Sequence, residues 1–408
     1  MKSAKQQINN YKPLIIYLHR YSIEYEAIQF PGMRPMFDTL SKKYKILYLS
    51  MAGPIPPNFK LRKGIKVKEI PIKVNRTKPI DKWLKTILYY FFLPFTLIKI
   101  KKENPSLIIC KETLPFVPSI VSKLKIPMLV DISDWWWSIL FGRKKQGKKL
   151  ARIMEKLEVS HWNKNKILAV AHTMAEAKIV QQKGMSEKKI RIANAPLYKG
   201  VYYPYDAKGE RKKLNLAKNK WVVAIHGIIR PGKGYEQLLV WWKKLVKEHP
   251  NWTLLIIGGA GGEAWCRKKI KILNLQKNII MTGWLPTQDH VNKYLNAADC
   301  LLVIRRNTDD NKGIIPSALY HSLATGKPTL ITGLPGMAEV VKHKVSGYIF
   351  EPDNYKSFKS VLEHIFSHPK EATKVGKTGI KRGNQCFDPK LTAEKYFKYA
   401  EEAMQLEY

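Results

Sequence analysis

The sequence predicts two Rossmann-like α/β/α domains facing each other across a cleft, and three observations carry that prediction. Short apolar runs alternate with stretches of helical periodicity from end to end, the pattern of strands joined by crossover helices in mainly parallel sheets. The alternation lapses between Pro196 and Lys220, which is polar, lysine-rich and aperiodic, and then restarts. The 408 residues are enough for two domains that each bury a core.

Taken in order, a short apolar run bounded by turn residues reads as a strand covered on both faces. In the first half this assigns strands to Leu14–His19, Ile46–Ser50, Leu107–Cys110, Met128–Val130, Ile167–Ala171 and Ile190–Ala193. Apolar residues at helical spacing place helices between them at Arg34–Lys43, Pro115–Lys123, Ala151–His161 and Met174–Lys183. In the second half the strands are Trp221–His226, Trp252–Ile257, Ile279–Thr282, Cys300–Ile304, Thr329–Ile331 and Tyr348–Phe350. Helices fall at Tyr235–Glu248, Glu263–Leu273, Gln288–Ala297 and Ser317–Ala324, and from Tyr355 onward the chain is helical and amphipathic. The expected boundaries are 1–200 for the first domain, 201–220 for a linker and 221–385 for the second domain. A C-terminal helix within 386–408 is expected to pack back on the first domain. There are no short-period repeats or low-complexity tracts.

A hydrophobic content of 45% with 11% aromatics excludes wholesale disorder, and a net charge of +40 calls for an anionic partner. The lysines are spread over both halves with no helix-turn-helix, zinc-finger or RNA-binding signature, so no nucleic-acid partner is expected. The cysteines Cys110, Cys266, Cys300 and Cys386 lack paired or metal-ligand spacing and read as free thiols in a reducing compartment. Met1–Asn10 is polar, without the apolar core of a signal peptide. The segment Trp83–Lys102 is apolar and aromatic but broken by Lys85 and Pro94, too short to span a bilayer. It reads either as a helix lying in a membrane interface, cations at both ends, or as a helix packed on the sheet.

The strongest chemical signal follows the strand Trp221–His226: Gly227-Ile-Ile-Arg-Pro-Gly-Lys-Gly234, then a helix. The carboxyl end of a strand is where open α/β sheets bind ligands. Glycines admit a ligand close to the backbone, the helix amino terminus offers free amides, and Arg230 and Lys233 supply charges suited to a diphosphate.

This loop is followed by Leu254-Leu-Ile-Ile-Gly-Gly259, Ile280-Met-Thr-Gly-Trp-Leu-Pro286, Tyr294-Leu-Asn-Ala-Ala-Asp-Cys-Leu-Leu302, Ser322-Leu-Ala-Thr-Gly-Lys-Pro-Thr-Leu-Ile331 and Gly347-Tyr-Ile-Phe-Glu-Pro-Asp353. Jointly these resemble the donor-binding domain of family 4 glycosyltransferases. The resemblance implies a GT-B fold: two Rossmann-like domains, the donor nucleotide in the second and the acceptor against the first. It implies that Arg230 and Lys233 neutralise the leaving diphosphate, that Gly227 passes beneath the phosphates, and that Gly283 and the residues after it hold the base. Trp284 either stacks on the base or is a core tryptophan. The family's paired glutamates, spaced Glu-x7-Glu, fall on Gly313 and His321, so neither carboxylate is present. His321 retains ring nitrogens able to bond a ribose hydroxyl, and the amides of Ile314 and Ile315, with Ser317, are candidates for phosphate or sugar.

In the first domain, Asp131-Ile-Ser-Asp134 ends a strand. Asp134 is either a catalytic carboxylate toward the acceptor hydroxyl or a helix cap, and Asp131 and Gly32 are expected on the acceptor side of the cleft, with His19 a weaker candidate. The tryptophans Trp135, Trp136 and Trp137 are candidates to stack on sugar or lipid. Asp309 and Asp310 lack a third spaced acidic ligand, and no metal or cofactor is expected. The expected activity is transfer of a hexose from a UDP-sugar or GDP-sugar to a lipid-linked or polysaccharide acceptor in bacterial surface-glycan synthesis, retaining by resemblance. The expected location is the cytoplasm, peripheral on the anionic inner face of the cell membrane. A GT-B pseudoenzyme that docks a partner glycosyltransferase is the alternative.

Overall fold

The structure, a computed structural model, describes residues 12–19, 33–51, 65–70, 79–111, 114–132, 135–141, 145–196, 200–217, 219–230, 233–259 and 261–406. The chain forms two compact units, Met1–Pro196 with Pro389–Tyr408, and Leu197–Asp388. Each is a parallel sheet between layers of helices.

In the first unit the strands are β1 (Leu14–Leu18), β2 (Lys45–Met51), β3 (Ile65–Ile70), β4 (Leu107–Cys110), β5 (Met128–Asp131), β6 (Ile167–Ala171) and β7 (Ile190–Ile192), in the order β3-β2-β1-β4-β5-β6-β7. Every pairing is parallel. The central strands are apolar on both faces because both are covered. One face packs Ile16, Leu18, Ile108 and Val130 against the helices Pro79–Glu103 and Lys145–Asn163. The other packs Ile15, Tyr17, Ile109 and Leu129 against the helices Arg34–Leu40 and Pro389–Met404. The terminal helix is tied to the end of the sheet by Thr392 Oγ1 donating to Asn194 O (3.1 Å) and Tyr399 OH donating to Ile192 O (2.9 Å).

The segment Trp83–Lys102 lies in the 25-residue helix Pro79–Glu103. Tyr89, Leu93, Thr96 and Ile100 recur at helical spacing and are buried on the sheet, whereas Leu84, Ile87, Phe91, Phe95 and Ile98 are exposed. The helix is thus core along one face and apolar toward solvent along another. Among the described residues no helix is long and apolar enough to cross a membrane.

The second unit has β8 (Trp221–His226), β9 (Trp252–Ile257), β10 (Ile279–Gly283), β11 (Cys300–Val303), β12 (Thr329–Thr332) and β13 (Tyr348–Phe350), in the order β10-β9-β8-β11-β12-β13. All pair in parallel. The stretch 201–220, expected to be a linker, is instead a packed part of this unit. Tyr202, Ala207 and Glu210 are buried, and a short helix forms at Lys208–Lys213. The stretch is ordered without a periodic pattern because side-chain hydrogen bonds hold it to the rest of the unit. The buried Asn292 and Asn296 accept from Tyr203 N (3.2 Å) and Tyr205 N (3.0 Å), and Arg211 donates to the carbonyls of Ala297 and Lys220, each at 2.8 Å.

Candidate functional site

In the second sheet the chain leaves β8 toward β9 on one side and returns to β11 on the other. The switch point of the topology therefore lies between the carboxyl ends of β8 and β11, where a crevice forms in such sheets. The loops after β8, β9 and β10 are bonded to one another: Gly227 N to Ile257 O (2.9 Å), Ile229 N to Gly259 O (2.8 Å) and Gly258 N to Gly283 O (3.1 Å). Gly258 has no alternative here, since at φ +121° a Cβ would stand 2.3 Å from Gly227 O. Gly227 is also left-handed, at φ +117°, and among the described residues nothing lies within 4 Å of where its Cβ would be, so bare backbone fronts open space.

Arg230 is exposed on this loop, and Lys233 N closes a turn on Arg230 O at 3.4 Å. Gly234, at φ +90°, then starts the helix Tyr235–Glu248. Two cations thus stand before a helix amino terminus, whose free amides and partial positive charge favour an anion. A third cation, not anticipated from the sequence, follows β11. Arg305 N donates to Thr332 Oγ1 (3.0 Å) and its guanidinium to Ile304 O (2.9 Å). Burial lowers the guanidinium to about 10, with Tyr235 and Asp310 opposing and Arg230 adding to the fall, so it stays charged at neutral pH. The available signal was the same one that singled out Arg230: arginines directly after a buried apolar strand.

His321 lies on the helix Ser317–Thr325. Its ring stacks on Tyr202 (centroids 3.9 Å apart, 14° between planes), and its Nδ1 is 3.2 Å from His226 Nε2. Burial, with Arg305 adding, pulls His226 down to about 4, and burial with His226 pulls His321 well below its ordinary value. Both imidazoles are therefore neutral near pH 7. Ser317 is exposed at the start of its helix, and Ile314 and Ile315 are half-buried in the segment leading to it. Gly313 is buried, its carbonyl against Gly336. Trp284 is 58% exposed just beyond Gly283, which excludes the core reading for its ring.

In the first unit two expectations are corrected, for Asp131 and for Trp135. Asp131 is not presented to an acceptor: its side chain is fully buried. Lys111 Nζ donates to it at 2.9 Å, Tyr396 OH donates to the same oxygen, and His172 Nε2 lies 3.1 Å from the other. A carboxylate so occupied is a structural clamp. Trp135 is likewise buried, with Lys183 Nζ 4.5 Å from its ring centroid, so it is not a platform for sugar. Trp137 donates to Glu158 Oε2 (2.9 Å) and stacks on Phe141, and Trp136 packs partly buried against the sheet helices. His19 is buried beside Tyr48. Asp134 and Gly32 lie outside the described residues. Asp309 pairs with Lys312 (3.2 Å). Among the described residues no three His, Cys, Asp or Glu side chains gather as a metal site. The four cysteines are free, three of them buried.

Comparison with known proteins places these features. Residues 206–382 match the family model described as glycosyl transferases group 1. An uncharacterized glycosyltransferase of Haemophilus influenzae is 25% identical over 225 residues, covering 55% of this chain and 57% of that protein. The capsular polysaccharide biosynthesis glycosyltransferase CapM of Staphylococcus aureus is 22% identical over 234 residues, covering 56% and 59%. The chain spans about half the length of the curated relatives it matches. Among solved structures, Anabaena Alr3699/HepE in complex with UDP and glucose superposes with a TM-score of 0.71 at 16% identity, over 97% of this chain and 100% of that one. WaaG, a glycosyltransferase involved in lipopolysaccharide biosynthesis, gives 0.69 at 13% identity over 95% and 99%. These likenesses make the fold GT-B. The unit that carries Arg230, Lys233 and the glycine loop is the part of the chain that matches the glycosyl transferases group 1 family, over residues 206–382.

Proposed function

We propose that the chain transfers a hexose from a UDP-sugar or GDP-sugar to a lipid-linked or polysaccharide acceptor in the assembly of a bacterial surface glycan, with retention at the anomeric carbon as in the family 4 enzymes it resembles. The observation that carries this reading is the glycine loop at the switch point, with Arg230 and Lys233 before a helix amino terminus. When the glycosidic bond to the diphosphate breaks, negative charge grows on the departing phosphates. Cations already fixed there stabilise that transition state, and no metal is needed for the purpose. The exposed Trp284 supports base stacking, and neutral His321 supports a hydroxyl contact where relatives have a carboxylate. The names of the relatives CapM, TuaH and AmsK, tied to capsular polysaccharide, teichuronic acid and amylovoran biosynthesis in turn, support the acceptor class. UDP-glucose bound to HepE supports the donor class.

The test is to incubate the purified chain with UDP- and GDP-linked hexoses and a bacterial lipid extract, reading nucleoside-diphosphate release and sugar in the lipid fraction. Release that depends on the extract is the expected result. Donor binding without release or hydrolysis contradicts it and favours the pseudoenzyme reading, which Gly313 and His321 at the glutamate positions motivate.

The reading includes a peripheral position on the anionic inner face of the cell membrane. On the helix Lys145–Asn163 the acidic residues Glu155 and Glu158 are buried, whereas Lys148, Lys149, Leu150, Arg152, Ile153, Lys156 and Leu157 are exposed. This basic and apolar face belongs to the same layer as the exposed stripe of Pro79–Glu103. Each Lys or Arg near an anionic bilayer contributes about 1 kcal/mol. The purified chain is expected to sediment with phosphatidylglycerol vesicles at low salt and to be released at high salt. Replacing Phe91 and Phe95 together by serine is expected to weaken binding about tenfold or more without lowering the melting temperature, because both rings are exposed. Unaltered vesicle binding by that variant removes the stripe from the membrane reading.

A further inference from the structure

We infer that Arg305 is a third cation of the diphosphate site, gripping the phosphates of the bound nucleotide from the β11 side. The inference rests on the donor reading above and adds to it a residue outside the motifs that suggested that reading.

Position comes first. Arg305 follows β11 at the switch point, and the preceding Ile304 packs against Gly234, where a Cβ would be 3.1 Å from Ile304 Cγ1. That contact sets Arg305 beside the start of the helix Tyr235–Glu248. Its electrostatic neighbours are His226 at the end of β8, Arg230 on the loop, Tyr235 at the helix start and Asp310. The backbone is held by Thr332 at the end of β12, so three adjacent strands fix this one residue.

Its pairing is incomplete. A guanidinium carries five N–H donors. Among the described residues the Arg305 side chain donates to Ile304 O alone, and no carboxylate is in ion-pair contact with it. Its neighbour Arg306, by contrast, is paired with Asp353 at 3.2 Å. Asp310 acts on Arg305 only from a distance, and Arg230 repels it. A partly buried cation without a counter-charge is costly, and the repulsion between Arg305 and Arg230 adds to that cost. A diphosphate between them would supply the missing acceptors, and the planar fork of arginine matches two phosphate oxygens at once.

The test is titration calorimetry of the full chain with UDP, GDP and ADP, together with the melting temperature of the unliganded protein, for wild type and Arg305→Gln. The expected result is a Kd weakened about tenfold to a hundredfold, the loss of charge-assisted bonds, with a melting temperature no lower than wild type. A glutamine variant that binds with unaltered Kd overturns the inference, whatever its melting temperature. If the glutamine variant does not fold, Arg305→Lys decides. It keeps the charge and loses the fork, so a weaker Kd is expected and an unaltered one overturns the assignment. Wild type that binds none of the three nucleotides removes the donor reading itself, and this inference with it.

Discussion

Asp131→Asn is expected to destabilise the first unit by about 3–5 kcal/mol, the typical cost of removing one partner from a buried ion pair. The side chain joins groups from four successive strand ends and the terminal helix. Lys111 follows β4, Asp131 ends β5, His172 follows β6 and in turn bonds Ala193 O (2.8 Å) beyond β7, and Tyr396 comes from Pro389–Met404. With asparagine in place, Lys111 keeps its positive charge in a buried setting without the anion that balances it, and His172 loses the partner that favours its charged form. Chemical denaturation of the variant measures the loss, and hydrogen exchange should report a loosened terminal helix. A change below about 1 kcal/mol, the scale of an exposed pair, contradicts the clamp.

The same clamp sets a pH dependence. Burial opposes ionisation of Asp131, but Lys111, His172 and Tyr396 prevail and hold its carboxyl far below the usual range. A depressed carboxyl contributes stability that is complete above its unfolded value of about 4 and is lost as the pH falls below it. His172 has the opposite sign. Burial lowers its pKa, but Asp131 and Glu176 raise it above the ordinary value. Its contribution is therefore complete below about 6.5 and is lost as the pH rises through the raised value. The stability of the wild type should accordingly peak on the mildly acidic side of neutral, and Asp131→Asn should flatten the acid limb.

The second large effect is on turnover. Arg230→Ala and Lys233→Ala are each expected to lower the rate of sugar transfer about a hundredfold or more, by analogy with removing one preorganised donor to a developing anion. Arg230 is exposed on its loop, so its alanine variant should melt with wild type and the loss should be chemical. Near-normal rates in both variants contradict the assignment of the loop to the leaving diphosphate.

Much of this fold is legible in the sequence because parallel strands covered on both faces are apolar runs with little ambiguity. Trp221–His226 and Trp252–Ile257 are read to the residue. The strand β3 escapes because Ile65-Lys-Val-Lys-Glu-Ile70, at the sheet edge, carries three charged residues among three apolar ones and never makes such a run. The stretch 201–220 is misread as a linker because its order comes from Asn292, Asn296 and the Ala297 carbonyl that Arg211 reaches, partners the local pattern cannot reveal. Asp131 looks like a carboxylate at a strand end open to ligand. Its burial depends on Tyr396, 265 positions away along the chain. The donor loop is legible because glycines, cations and a helix start are contiguous there. Arg305, His226 and Tyr202 are not, since their meaning arises from strand order and stacking across the unit.

A diphosphate held by the Gly227–Gly234 loop is tested by a thermal-shift comparison of wild type and Arg230→Ala against UDP, GDP and ADP, with a chelator present. A ligand that binds only the folded state raises the melting temperature by mass action. Wild type is expected to shift clearly upward with one nucleoside diphosphate, and Arg230→Ala to shift much less at the same concentration. No shift of wild type with any of the three, or equal shifts in both proteins, would contradict a diphosphate held at the Gly227–Gly234 loop.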